Sequence, residues 1–148
     1  MPFKRTIKSN ILKTALGWPD SFWAIQESVG YGCKNNHLDV RMIQYFLNKA
    51  AGSKILETDG SFGGKTWRAI KNFQERYRNV ADGAISAADG DKYFTPKQGK
   101  VYTIYELNID FLIRYPMHFD DLRSDPDLPS QLRSHFSTSD FSSDDASI

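Results

Sequence analysis

Residues 57–79 read ETDGSFGGKTWRAIKNFQERYRN, and the parsing of this stretch decides the fold. Asp59-Gly60 and Gly63-Gly64 mark a tight turn with no room for a side chain, and Gly63 is expected at positive φ. Beyond the turn, Thr66, Ile70, Phe73 and Tyr77 share one face at helical spacing, with Ala69 beside them letting another helix approach. The spacing predicts a helix from near Lys65 to near Asn79. Upstream, residues 39–52 read DVRMIQYFLNKAAG, where Val40, Ile43, Phe46, Leu47 and Ala50 carry the same period. Asp39 is the expected N-cap of this helix and Gly52 its terminator at positive φ. Downstream, a second Asp-Gly turn, Asp82-Gly83, leads into apolar Ala84 and Ile85. Two helices, divided by one glycine turn and closed by another, form a coherent helical unit.

The residues punctuating this unit make a pattern: Val40-x-x-Ile43-Gln44-x-x-Leu47-Asn48, then Asp59-Gly60-x-Phe62-Gly63-x-x-Thr66-x-x-Ala69-Ile70-x-x-Phe73-Gln74, then Asp82-Gly83-x-Ile85. In order, spacing and both turns it resembles the peptidoglycan-binding-like domain. Ser28-Val29-Gly30-x-Gly32, Asn35 and Asp39-Val40 resemble the lead-in to such domains in some bacterial and phage proteins, so the likeness covers residues 28–86. It implies a bundle of three short helices whose usual role is binding the bacterial cell wall, often beside a wall hydrolase. Every motif residue also has a reading in folding alone. Gly60, Gly63 and Gly83 meet backbone geometry, while Asp59 and Asp82 bond turn amides. Thr66 caps a helix start, Gln44 and Gln74 tie helix ends to loops, and Ile43, Leu47, Phe62, Ile70 and Phe73 fill the core.

Ligand contacts are therefore expected at positions that the pattern leaves free. Trp67 flanks the core stripe, with Lys71 and Arg78 next along that edge; Arg41, Tyr45 and Tyr77 can contribute from the facing helix and the helix end. An aromatic platform with cations nearby can stack on sugar or peptide and pair with the carboxylates of an anionic muropeptide. Alternatively, Trp67 covers the joint with C-terminal helices.

The chain has 148 residues, 40% of them hydrophobic and 14% aromatic, enough to bury a core around and beyond this unit. Residues 1–27 are read as an N-terminal helical extension, from the spacing of Ile7, Ile11, Leu12 and Leu16. Residues 87–136 are read as a C-terminal helical extension packed on the unit. In it, residues 102–116 favour a helix with a strand left open, and Pro129 opens a helix over 128–136. Residues 120–148 hold seven aspartates against two arginines, a net of −5, which leaves +6 on residues 1–119. Residues 137–148 are read as a mobile acidic tail. The fold class is mainly α: a small helical bundle of the peptidoglycan-binding-like type with extra N- and C-terminal helices.

A net charge of +1 argues against a nucleic-acid binder, and the single cysteine, Cys33, excludes an internal disulfide. No apolar run is long enough to span a bilayer, and the basic start lacks the apolar stretch of a classical signal peptide. His37, His118 and His135 are dispersed without a zinc-site spacing, so neither metal nor cofactor is expected. Cys33 near His37 is a weak nucleophile candidate, and Glu27 is the best-placed glutamate for a muramidase acid. The reading is a protein that is not an enzyme and binds peptidoglycan or muropeptides, as an accessory or delivered effector of an envelope-targeting system. The alternative is a protein-interaction or adaptor domain that keeps the fold without wall binding, and the third is a small cell-wall hydrolase. The expected location is cytoplasmic as synthesised, with export by a non-classical route to the envelope or a target cell.

Overall fold

In the computed structural model of the chain, which describes residues 1–10, 13–14, 20–77, 81–92, 94–95 and 101–138, the two helices of the central unit form as their periodicity requires. Helix α1 spans His37–Ala51 and helix α2 spans Gly64–Arg76. Asn36, not Asp39, caps α1: its side chain accepts from the backbone N–H groups of Leu38 and Asp39. Asp39 sits one turn in, fully buried, and accepts from the backbone N–H groups of Gln26 (3.3 Å) and Glu27 (3.0 Å). A carboxylate in the first helical turn also answers the free amides there. Gly52 ends α1 at φ 73°, as expected. The turn before α2 corrects the reading of its glycines. Gly60 takes the left-handed conformation at φ 77°, whereas Gly63 is extended at φ −151° and serves as the N-cap.

The third helix of the bundle lies farther along the chain than the resemblance suggests. Residues 28–86 hold only α1 and α2 among those described; α3, Thr103–Arg114, closes the bundle after an interposed segment. Phe111 of α3 packs on Tyr45 and Phe46 of α1, with ring centroids 5.9 and 5.3 Å apart. The helical alternative for residues 102–116 is the one realised. Pro116 then opens the short helix α4, Pro116–Phe119, followed by a 3-10 turn at Leu122–Ser124. Helix α5, Ser130–Thr138, starts directly after Pro129 and seats Leu132 and Phe136 in the core. Residues 139–148 of the expected tail lie outside the described residues; 137 and 138 belong to α5.

The N-terminal extension differs from the helix expected of it. Strand β1, Phe3–Thr6, pairs antiparallel with β2, Ser21–Ala24, in the register Phe3↔Ala24 to Thr6↔Ser21. Between them Asn10, Lys13 and Thr14 are helical, while Ile11, Leu12 and Leu16 lie outside the described residues. The other edge of β2 is satisfied by a side chain. Asn108 of α3 accepts from the Trp23 N–H at 2.7 Å and donates to the Trp23 carbonyl at 2.9 Å. Fully buried, Trp23 also donates its indole N–H to the Phe119 carbonyl at 2.7 Å. The ribbon is thus locked to α3 and α4, because buried polar groups need partners.

Candidate functional site

Two turns of the same construction shape one face of the central unit. Gln44 in α1 accepts the Gly60 N–H at 3.0 Å, and its Nε2 lies 3.1–3.2 Å from Asp59 Oδ1, the Ser61 carbonyl and Thr66 Oγ1. Gln74 in α2 repeats the arrangement on the second turn. It accepts the Gly83 N–H at 2.9 Å, and its Nε2 meets Asp82 Oδ1, the Ala84 carbonyl and Thr103 Oγ1 at 2.9–3.1 Å. Each Nε2 has two hydrogens for three acceptors, so one bond is shared. Asp59 and Asp82 fold back onto the amides of Ser61 and Ala84, at 2.9 and 3.0 Å. The Ser61 amide, foremost, holds the Asp59 carboxyl below the usual carboxylate range. Thr103 corresponds by these contacts to Thr66, which identifies α3 as the helix that follows the second turn.

Beside the first turn runs a groove of about 440 Å³. Lys54–Glu57 form one wall and Ser61–Thr66 the other, with Gln44 and Asp59 at its base. Gly63 and Gly64 open this wall: a Cβ at either would meet nothing within 4 Å. No side chain caps α2, so its first amides remain available to an acceptor. Lys54 and Glu57 pair at 3.2 Å with both side chains largely in solvent, a weak and rearrangeable contact. Lys65 adds a cation at the helix start.

Phe62 belongs to the groove wall and also to an aromatic ridge. Its ring meets that of Tyr31 edge-on, centroids 5.1 Å apart at 86°, and Tyr31 leans on Trp67 at 5.9 Å and 50°. Lys71, one turn after Trp67, places its ammonium 4.5 Å from the indole centroid. Trp67 lies so close to the second turn that a Cβ on Gly83 would come within 2.3 Å of the indole. It is half-buried, whereas Tyr31 is 66% exposed.

Of the six residues expected to contact a ligand, the structure brings Trp67 and Lys71 together. Arg41 is half-buried under the first turn and donates to the carbonyls of Thr58 (2.6 Å) and Asp59 (3.2 Å). Tyr77 sits at the joint of α2 and α3, stacked on Phe73 at 4.6 Å and donating to Asp110 at 2.7 Å. Tyr45 is placed in the core. It is 1% exposed and donates to Asp125 at 2.6 Å, so its side chain is committed to the core and away from Trp67 and the groove. Arg78 lies outside the described residues. Sequence reasoning passed over Tyr31, although its place in the glycine-bounded segment Gly30-Tyr31-Gly32 exposes it, and it read Phe62 only as core.

A second cleft of about 290 Å³ lies where Tyr45, Lys49, Tyr115 and Asp127 meet. Lys49 is paired there with both Asp125 and Asp127 at 3.0 Å and lies 4.1 Å from the Tyr115 ring, so its charge is committed within the protein. Burial, then the charge of Asp82, pushes the Cys33 thiol above its ordinary range, which disfavours the thiolate nucleophile. His118 Nδ1 lies 2.7 Å from Ser124 Oγ, and the same hydroxyl lies 2.8 Å from the Asp121 carbonyl, which competes for its one proton. Among the described residues no group of three or more His, Cys, Asp or Glu is placed to hold a metal.

Comparison with known families places the match where the two turns lie. Residues 36–88 match a family described as "Putative peptidoglycan binding domain". The resemblance read from the sequence holds over that segment, which takes in α1, the groove and α2. No curated protein and no solved structure gives a match.

Proposed function

Because residues 36–88 match the peptidoglycan-binding family, we propose that this chain binds bacterial peptidoglycan without cleaving it, through the groove beside the first turn. The observation that carries the reading is this coincidence: the whole groove, from Gln44 to Thr66, lies inside the matched segment. Its polar, two-signed lining suits a stem peptide, whose carboxylates meet Lys54, Lys65 and the amides opening α2, and whose amines meet Glu57 and Asp59. The matched family is a binding domain, which supports the non-cleaving reading.

The test is co-sedimentation of the whole chain with purified sacculi. The protein is expected in the pellet at low and moderate salt, with no soluble muropeptides released above a buffer control. Gly63→Val should remain folded, because its backbone is extended and its Cβ meets open space, yet the added side chain narrows the groove and should weaken pelleting several-fold. Muropeptide release would restore the hydrolase reading. Protein left in the supernatant would favour an adaptor domain, a reading supported by the way the matched segment shares its core with α3 and α5 rather than standing apart.

A further inference from the structure

We propose that the ridge formed by Tyr31, Phe62 and Trp67 is a stacking platform for a saccharide ring of the glycan strand, with Tyr31 as the ring that touches the sugar. The inference rests on the wall-binding reading and adds to it which part of the polymer this face recognises.

Three rings from three separate segments converge here, and the outermost, Tyr31, leaves two thirds of its surface in water. The loop that presents it is held stiffly. Asn35 accepts the Gly30 N–H and donates to the Gly30 carbonyl, both at 2.8 Å, and also donates to the Cys33 carbonyl at 3.2 Å. To do so Asn35 adopts φ 52°, the only positive φ outside glycine among the described residues. A backbone in that region is strained, even though asparagine tolerates it better than most. Directly before the loop, Val29 and Ile85 exchange backbone hydrogen bonds of 2.9 and 2.7 Å. At Gly30 a Cβ would come within 2.7 Å of the Ala84 Cβ, so the loop is clamped to the second turn. This effort goes into holding an amphipathic ring out into solvent, and a pre-ordered ring loses little entropy when a ligand covers it.

The chemistry of the ridge differs from that of the groove. The groove is polar and carries both signs of charge, which fits peptide termini and side chains. The ridge offers apolar ring surface with the Lys71 ammonium beside it. A hexosamine ring matches that: its C–H face lies on an aromatic ring while its hydroxyl and acetamido oxygens accept from the ammonium. Phe62, shared by both surfaces, makes them continuous, so a sugar on the ridge would lead its stem peptide into the groove.

The experiment compares intact sacculi with glycan strands stripped of their stem peptides, using the whole chain, Tyr31→Ala and Tyr31→Phe. Sacculi are assayed by sedimentation and stripped strands by calorimetric titration. Tyr31→Ala should melt close to the parent temperature, because the residue is largely exposed. The parent is expected to bind both ligands, Tyr31→Ala to lose about tenfold or more on stripped strands, and Tyr31→Phe to keep most of the affinity. Binding of sacculi but not of stripped strands would overturn this inference and leave the wall-binding reading standing. So would stripped-strand binding by Tyr31→Ala equal to the parent's. Binding of neither ligand by the parent would overturn both.

Discussion

At Gly60 a Cβ would lie 2.7 Å from the carbonyl oxygen of His37, and φ is 77°. At Gly63, three residues on, φ is −151° and the same position is open. Gly60→Val should therefore lose about 1–2 kcal/mol from the left-handed backbone alone and more from the clash, while Gly63→Val should stay within about 0.5 kcal/mol of the parent. Urea midpoints of the two variants measured side by side decide the matter, and equal losses would sink the distinction. Both glycines stand in the same Asp-Gly-x-Phe-Gly pattern, and the pattern alone does not separate them. Their difference arises from what lies behind each. Asp59 bends the chain onto the Ser61 amide and drives Gly60 against the start of α1, whereas Gly63 faces the groove and opens α2.

Among the elements, what could be read was what is local. The partners of Gln44 lie at 15 to 22 residues' separation within one motif, so both central helices and the first turn were legible. Gln74 bonds Thr103 across 29 residues, and nothing in the interposed stretch announces that α3 closes the bundle. The ribbon was hidden for a different reason: its strands have four residues each, and Phe22, Trp23 and Ala24 are all buried, which erases the alternation by which a strand is recognised. Tyr45 misled because an aromatic on a helix flank reads the same whether a ligand or an extension covers it. The distant closing helix makes a prediction. A fragment of residues 36–88 retains α1 and α2 but leaves Tyr45 and Phe46 without Phe111. It should show residual helix by far-UV circular dichroism, with no cooperative urea transition and no near-UV signal. A sharp, native-like transition in that fragment would show that the matched segment folds without α3.

Across the whole molecule, the C-terminal extension is fastened to α1 by a buried polar cluster whose charge depends on pH. Asp125, 1% exposed, accepts from the Tyr45 hydroxyl at 2.6 Å and pairs with Lys49 at 3.0 Å. Burial by itself raises the Asp125 carboxyl, but the bonds from Tyr45, the Asp127 amide and Lys49, with the Lys49 charge, outweigh it and hold the group below the usual range. Burial, then the bond to Asp125, pushes the Tyr45 phenol well above its ordinary value, so it stays a donor at any physiological pH. A carboxyl held lower in the folded state than in the unfolded chain stabilises the fold above the unfolded value, about 3.9, and loses that contribution as pH falls through the folded one. Asp39 has the opposite sign: burial raises it, so its contribution is present in acid and is lost as pH rises through its folded value. Acid melting of the parent alone thus mixes two opposed effects, and the difference between parent and Asp125→Asn isolates one. At pH 6–7 that substitution leaves Lys49 with the exposed Asp127 as its carboxylate partner and should cost about 3 kcal/mol, as breaking a buried ion pair does. The gap in melting temperature should hold down to a pH of about 4 and narrow below it as Asp125 in the parent takes up its proton. A gap that stays constant from pH 6 to pH 2.5, or widens in acid, would mean that the carboxylate's charge does not hold the extension to α1.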